Sequence, residues 1–528
     1  MSPSTRIVLN TLAAYGQSLF ALFLSLFSAR WLLQALGQSD FGLYGVVGSI
    51  VLLITFLNGG LSVGVARFYA YSIGQGHNLP EAEAIDDLKH WFNTALSIHV
   101  VLPALLVLIG WPIGEYAIRH WLTIPPDRIA SCVWVFRISM LTACVSVFSV
   151  PFTAMYAAHQ HITDLAIFGV LGTCGAFAAT WFLLREKSDR MIVFSLYVMA
   201  INVGLLIIQI FRAVIKFKAC RVRISYMYHW GYLKRLFGFV GWKMFGMSCV
   251  VLRGQGIPIL VNLQFGPLIN AAYSVADRVS TQGASLAAAL QGAFQPALVA
   301  SEGKGDRQVM LGLALQVCKF GTLLILLFAI PLVLEMKTVL HLWLEAPPEY
   351  AGELCQWMLA MLVIDKMTSG VMLAVNAVGR IAIYELVQGS TLFLALPLAW
   401  LFFKLGHGPT SLGYALFITM LLYCSNRLLF GKYLLQFPIA TWLQHVALPL
   451  LLLVAASATA GWGAKVLSAT GVLSVCLTTL VTAMVTTGIA WFWMLNAAEQ
   501  LFVREVVRKM SAWFVRSVRP MAKEVHCI

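Results

Sequence analysis

The sequence predicts an all-α polytopic membrane protein of about fourteen transmembrane helices, arranged as two parallel six-helix bundles with two extra C-terminal helices. Three observations carry this. Of 528 residues, 60% are hydrophobic and 11% charged, too little charge to cover a soluble protein of that length. Apolar runs of about 20 or more residues, enough to cross a bilayer as helices, recur from end to end. One phrase is also written twice. Trp121-Leu122-Thr123-Ile124-Pro125-Pro126-Asp127 returns 222 residues later as Trp343-Leu344-Glu345-Ala346-Pro347-Pro348-Glu349, a mark of internal duplication.

The elements follow in order. The first apolar run, 7–33, is too long for the apolar region of a signal peptide and lacks a small-residue cleavage pattern, so it reads as the first membrane helix. Gly37-Gln38-Ser39-Asp40 turns the chain into a second helix over 42–72. The third and fourth, 91–118 and 129–156, flank Pro125-Pro126-Asp127. The fifth to eighth are predicted at 163–184, 191–215, 234–262 and 268–298. Ser301-Glu302-Gly303-Lys304-Gly305-Asp306 opens the ninth, 308–334. The tenth and eleventh, 351–378 and 381–403, precede the break Gly406-His407-Gly408-Pro409, and the twelfth spans 413–436. Two more, 442–465 and 470–496, complete the set. In the tail, Phe502, Val506, Met510, Trp513 and Phe514 fall on one helical side, with Arg504, Arg508, Arg516 and Arg519 largely elsewhere. Such a basic amphipathic helix suits the surface of an anionic bilayer.

The net charge of +14 follows the positive-inside pattern rather than a nucleic-acid surface. With the N-terminus inside, loops and tail on that side hold twenty-one lysines and arginines, Arg427 counted among them, against nine outside. Both termini are therefore expected in the cytoplasm. The loop Arg185–Arg190 fits this orientation poorly. The ten cysteines are scattered, with no CxxC and no metal spacing, and read as packing residues. No metal and no bound cofactor is expected.

The duplication recurs elsewhere. Phe41-Gly42 matches Phe265-Gly266 at an offset of 224, and Ala154-Met155-Tyr156-Ala157 matches Ala374-Val375-Asn376-Ala377 at 220. Six helices per copy is an even number, so both copies insert the same way up, with a cavity between them. The expected division is 1–218 and 219–437 for the two bundles, 438–497 for the two additional helices and 498–528 for the tail. Both copies of the phrase are expected in outer turns. Their prolines would end helices and stiffen the turns, with no chemistry of their own.

Asn10-Thr11-Leu12, Leu36-Gly37-Gln38-Ser39-Asp40-Phe41-Gly42-Leu43-Tyr44 and Phe265-Gly266-Pro267 resemble the polysaccharide-transporter (Wzx-type) lipid-linked oligosaccharide flippases of the multidrug/oligosaccharidyl-lipid/polysaccharide exporter superfamily. The runs 252–262 and Ala293-Phe294-Gln295-Pro296-Ala297 look like the helix-7 region and a later segment of bacterial proteins of lipopolysaccharide biosynthesis. The resemblance covers most of residues 6–436. It implies twelve core helices in two lobes, two extra helices, and alternating access for an undecaprenyl-pyrophosphate-linked glycan in the bacterial inner membrane. Many relatives carry an acidic residue followed by a basic one in helix 7. Here Leu252 and Gly254 flank Arg253, which puts a coupling ion at that place in doubt.

Charges within a bilayer are costly and face a cavity or a partner. Arg137, Lys243, Arg253, Arg278, Lys319 and Lys366 lie within predicted helices away from the loops, and two acids, Asp277 and Asp365, join them there. A cavity richer in cations than anions suits an anionic cargo, and arginine grips phosphate through two parallel donors. Lys319, between Cys318 and Phe320, has no polar neighbours in sequence and is not counted as a site. Adjacent helical residues point about 100° apart, so Asp365 and Lys366 are not expected to pair with each other. They are either a phosphate contact with a titrating acid, or part of an interhelical salt bridge. Ser274, Asp277, Thr281 and Ser285 share one face of the eighth helix, a polar stripe that suits a wet cavity. Asn58 and Ser62 share a face of the second, with Arg67 one turn beyond; close packing through Gly59 and Gly60 explains them equally well. Asp277 and Asp365 are the candidates for coupling to H+ or Na+.

The leading expectation is thus a flippase for an oligosaccharide unit of O-antigen, capsule or exopolysaccharide, and not an enzyme. Its partners would be the anionic lipid-linked glycan and the bilayer, with glycan-assembly enzymes as a further option and no nucleic acid. A cation-coupled drug exporter of the same superfamily is expected to show a more acidic cavity. A glycan polymerase or lipid-linked glycosyltransferase needs a larger outer loop or surface catalytic acids than this chain carries.

Overall fold

A computed structural model describes residues 3–504 apart from 56–60, 63–64, 67, 70–71, 74–79, 160, 229, 304, 379–381, 468–470, 498 and 502. Within that span it leaves undescribed the side chains of 3–19, 22, 26, 162, 235–244, 247, 286, 289, 292–293, 296–297, 299–300 and 303. Helix α1 (Pro3–Ile54) is broken at Gly37, φ 75° and ψ 171°, into arms 3–36 and 38–54. Glycine takes that φ without a Cβ clash, so the predicted four-residue break contracts to one residue. Helix α2 (Glu81–His120) begins ten residues earlier than the apolar run suggested. Pro80 precedes it, and Glu81 and Glu83 lie in its first turn, where the helix dipole favours them. Its π-helical turn, Leu106–Gly110, follows Pro103, which has no N–H to donate.

Helices α3 (Ile129–Ala158), α4 (Ile162–Leu183) and α5 (Arg190–Lys216) come next. The Asp189 carboxylate caps α5 by accepting from the amides of Met191 and Ile192. Beyond a connection under α2 lie α6 (Trp230–Phe265) and α7 (Pro267–Gly303), parted by Gly266 at φ 79°. Helix α8 (Arg307–Leu334) leads through the short α9 (Met336–Leu344) to α10 (Ala351–Val378). Helices α11 (Ala382–Lys404), α12 (Ser411–Leu435), α13 (Ile439–Leu467) and α14 (Val472–Met494) complete the described helices. Counting the arms of α1 separately and leaving out α9, fourteen long helices are described, as the sequence predicted. Eleven helical segments among the described residues are long and apolar enough to cross a membrane. Most of the amphipathic tail lies outside the described residues.

Side-chain contacts sort the loops into two ends. At the Gly37 end, Arg128 bridges Asp40 and Asp189, and Arg190 donates to the Ala35 carbonyl at 2.9 Å. The 185–190 loop therefore sits with the loops predicted to be outer. Both copies of the repeated phrase turn at this end, each after a short helical stretch. At the opposite end, Lys216 and Arg212 pair with Asp164, and Tyr232 donates to Asp87. The halves meet along a close seam. A Cβ on Gly42 would lie 2.0 Å from the Pro267 carbonyl oxygen, and Asn270 Nδ2 donates to the Gly42 carbonyl at 2.9 Å.

One buried carboxylate helps to fasten the last two helices. Glu335 is 1% exposed and accepts from Ser474 (2.8 Å), Thr338 (2.9 Å) and Thr478 (3.1 Å), with Lys465 Nζ at 3.7 Å. Burial alone would raise its pKa, but these partners outweigh burial and hold it below the ordinary 4.5. A depressed carboxylate adds stability above its unfolded pKa, and that stability is lost as pH falls through the folded value. Thermal stability of the detergent-solubilised protein is therefore expected to fall once pH drops below 4.5, and Glu335→Gln to flatten that fall. An acid-side profile identical in the variant would exclude this role.

Candidate functional site

The polar stripe on α7 faces inward. Ser274, Asp277 and Thr281 line a cavity of about 420 Å³ with Tyr44 from the second arm of α1 and Gln255 from α6. Ser285 lines a neighbouring cavity of about 760 Å³, whose walls also come from the first arm of α1, α4 and α5. Arg278 and Gln282 border both. A third cavity of about 550 Å³ shares Gln255 with the first and Asn202 with the second. The three adjoin one another between the N-terminal helices and α6–α7 and are called the chamber below. Gln282 Nε2 crosses it to donate to Ser25 Oγ at 2.8 Å.

The charged lining of the chamber is Asp277 and Arg278, and Arg253 stands behind that lining on α6. Arg253 and Arg278 both act electrostatically on Asp277, yet neither forms an ion pair with it among the described residues. Arg253 Nε and one terminal nitrogen of Arg278 are buried and have no hydrogen-bond partner among the described residues. Buried polar groups almost always find partners, and a guanidinium donor left open marks a place for an acceptor. The 760 Å³ compartment differs in character. Apart from Arg278 its polar lining is uncharged, with Ser28, Thr173, Asn202 and Gln209 among it.

Other predicted residues go elsewhere. Arg137 does not reach the chamber: it clamps Glu115 through bonds of 2.8 to 3.1 Å and lies over the Trp134 ring at 5.4 Å. The expectation that Asp365 and Lys366 would not pair is corrected. The flexible lysine chain bends back, and Nζ reaches Asp365 Oδ2 at 2.7 Å. Arg427, counted from sequence as an inner-loop residue, is instead 1% exposed. Its guanidinium reaches Asp365 Oδ1 at 3.1 Å and Thr368 Oγ1 at 3.0 Å and lies over the Tyr423 ring at 4.6 Å. This buried cluster ties α10 to α12, the salt-bridge alternative, and contributes no lining to the chamber. Lys319, set aside for want of polar neighbours, pairs with Glu499 at 2.9 Å, both deeply buried. That partner lies 180 residues away, beyond any local pattern. Arg67, Asn58 and the Lys243 side chain fall outside the described residues. Ser62 is described and half-buried, and it is not among the chamber-lining residues.

Sequence reading missed Tyr44, Asn202, Gln209, Gln255 and Gln282. Isolated amides inside apolar runs were the available signal. Charge drew attention first, although an amide in a membrane helix also needs a partner or water.

No family model and no curated protein matches the sequence. Solved structures share its fold. The lipid II flippase MurJ, in an inward closed conformation, aligns with a TM-score of 0.67 at 12% identity, covering 95% of this chain and 100% of that one. An inward-facing multidrug resistance MATE family transporter of the MOP superfamily gives 0.68 at 13%, covering 81% and 98%. A MOP superfamily transporter from Pyrococcus furiosus, for which reverse polarity of the binding pocket suggests a different function, gives 0.59 at 14%, covering 81% and 96%. The fold is therefore that of the exporter superfamily to which the sequence motifs pointed.

Proposed function

From a fold shared with MOP superfamily transporters, we propose that this chain is a flippase carrying an undecaprenyl-pyrophosphate-linked oligosaccharide, a unit of O-antigen, capsule or exopolysaccharide, across the bacterial inner membrane. The observation that carries this reading is a pair of arginines at the chamber, Arg278 in its lining and Arg253 close enough to act on Asp277, each with one buried guanidinium nitrogen that has no partner among the described residues. A pyrophosphate supplies the acceptors they lack, and the uncharged amide and hydroxyl lining beside Arg278 suits a saccharide. The lipid tail stays in the bilayer while the head group crosses, and alternating access exposes the chamber to each side in turn. Both termini lie in the cytoplasm, where glycan-assembly enzymes would deliver the cargo. Of the two candidates for coupling to H+ or Na+, Asp365 is engaged by Lys366 and Arg427, which leaves Asp277 in the chamber lining as the acid that would couple transport and that suits the rival reading, a cation-coupled drug exporter. Two arginines beside it oppose a cationic drug.

The test is transfer of a fluorescent undecaprenyl-pyrophosphate-linked saccharide across proteoliposomes. The unmodified protein transfers it. Arg278→Glu and Arg253→Glu each lower the rate by about 10- to 150-fold, the worth of a charged hydrogen bond, with membrane insertion unchanged. Transfer at the ordinary rate in both variants rejects the reading. Extrusion of cationic drugs without lipid transfer selects the exporter.

A further inference from the structure

The repeated phrase does more than turn the chain. Its third residue is Thr123 in the first copy and Glu345 in the second. In each copy this residue crosses to the opposite half. The Thr123 amide donates to Asn262 Oδ1 at 3.0 Å, and Asn262 Nδ2 donates to the Thr123 carbonyl at 3.4 Å. Asn262 is fully buried near the C-terminal end of α6. Glu345 accepts from Gln34 Nε2 at 2.8 Å and from the Arg30 guanidinium, on the first arm of α1. Arg30 also donates to the Leu342 carbonyl at 3.4 Å. Under the duplication, α6 and the first arm of α1 are equivalent helices. The two contacts are therefore reciprocal: each half grips the end of the other's first helix with the same position of the same phrase.

The backbone at Glu345 is strained to make this contact. Its φ is 62° and ψ −53°, and the Ala346 amide donates to the Leu344 carbonyl at 2.7 Å, a γ-turn centred on a residue other than glycine. Such conformations persist only where surrounding contacts impose them, and they gather at switching sites. The side chains of Arg30 and Glu345 are 33% and 58% exposed, so this grip is weak enough to open. Asn262, by contrast, holds a backbone in a buried site.

We propose that the two copies are paired latches that hold the Gly37 end of the chamber shut and release together when the chamber opens to that side. This rests on the chamber being a transport path, as argued above, and not on the identity of its cargo. In a background with native cysteines replaced, Thr281→Cys reports access to the chamber by a membrane-impermeant maleimide added at the Gly37 side. Labelling is expected to rise about two- to fivefold in Glu345→Ala, the range for an exposed ion pair. It should rise about tenfold or more when Asn262→Ala is added. The charge swap Arg30→Glu with Glu345→Arg should return it to the starting rate, and a disulfide between Arg30→Cys and Glu345→Cys should suppress it. Unchanged labelling in the double variant, present in the membrane at the ordinary amount, overturns the latch. So does labelling that rises in Glu345→Ala and stays raised in the charge swap. A protein that moves no lipid-linked saccharide would reject the flippase reading and leave these labelling results intact, so the two failures are distinguishable.

Discussion

Asp365→Asn is expected to destabilise the second half of the molecule by about 3–5 kcal/mol, the cost of leaving a buried charge without its partner. Asp365 is the only acid that the described contacts bring to Lys366 and Arg427, both almost entirely buried. Asparagine keeps the shape of the side chain and removes only the charge, so the loss isolates the electrostatic role. The Thr368 hydroxyl, the Asp365 carbonyl and the Tyr423 ring still face Arg427, but none of them carries a negative charge. Replacing the whole cluster with apolar residues of similar volume, Asp365→Leu with Lys366→Met and Arg427→Met, should recover much of the stability, since no charge is then stranded. Thermal unfolding in detergent measures both. A midpoint for Asp365→Asn equal to that of the unmodified protein would show that other groups neutralise the two cations.

The second large effect is expected at Gly42. An added Cβ would meet the Pro267 carbonyl oxygen at 2.0 Å and the Pro267 carbonyl carbon at 2.9 Å. Backbone atoms cannot rotate aside as a flexible side chain can, so the second arm of α1 and the start of α7 must separate. Overpacking of this kind costs about 1–3 kcal/mol, and separation also breaks the Asn270 bond to the Gly42 carbonyl. Gly42→Ala should therefore lower thermal stability and loosen the seam at the Gly37 end. Gly48→Ala, on the same arm, is the control, because an added Cβ there meets nothing within 4 Å. Alanine favours a helix, so Gly48→Ala should be neutral or slightly stabilising. Equal unfolding midpoints for the two variants would mean that the seam can relax around Gly42.

Particular residues show what was legible beforehand. The stripe Ser274, Asp277, Thr281 and Ser285 was readable because helical periodicity is a local property, and all four line the chamber. Arg253 and Arg278 were readable because charge stands out in an apolar run. The start of α2 was not, since its acidic first turns interrupt the apolar signal while still forming helix. Arg427 was misassigned because a cation in the second half of an apolar run looks the same whether it meets water or a carboxylate 62 residues away.

By itself, the sequence determined the class of protein, the succession of helices and the doubled phrase at one end. Run length, turn residues and periodicity act over a few neighbouring residues and leave their mark in order along the chain. Only the tertiary structure decided which buried charges are satisfied and which remain open. Arg137, Lys319 and Lys366 have found carboxylates, two of them distant in sequence, while Arg253 and Arg278 have none among the described residues. A charge in a low-dielectric interior is defined by what surrounds it within a few ångströms, and the fold alone brings those surroundings together.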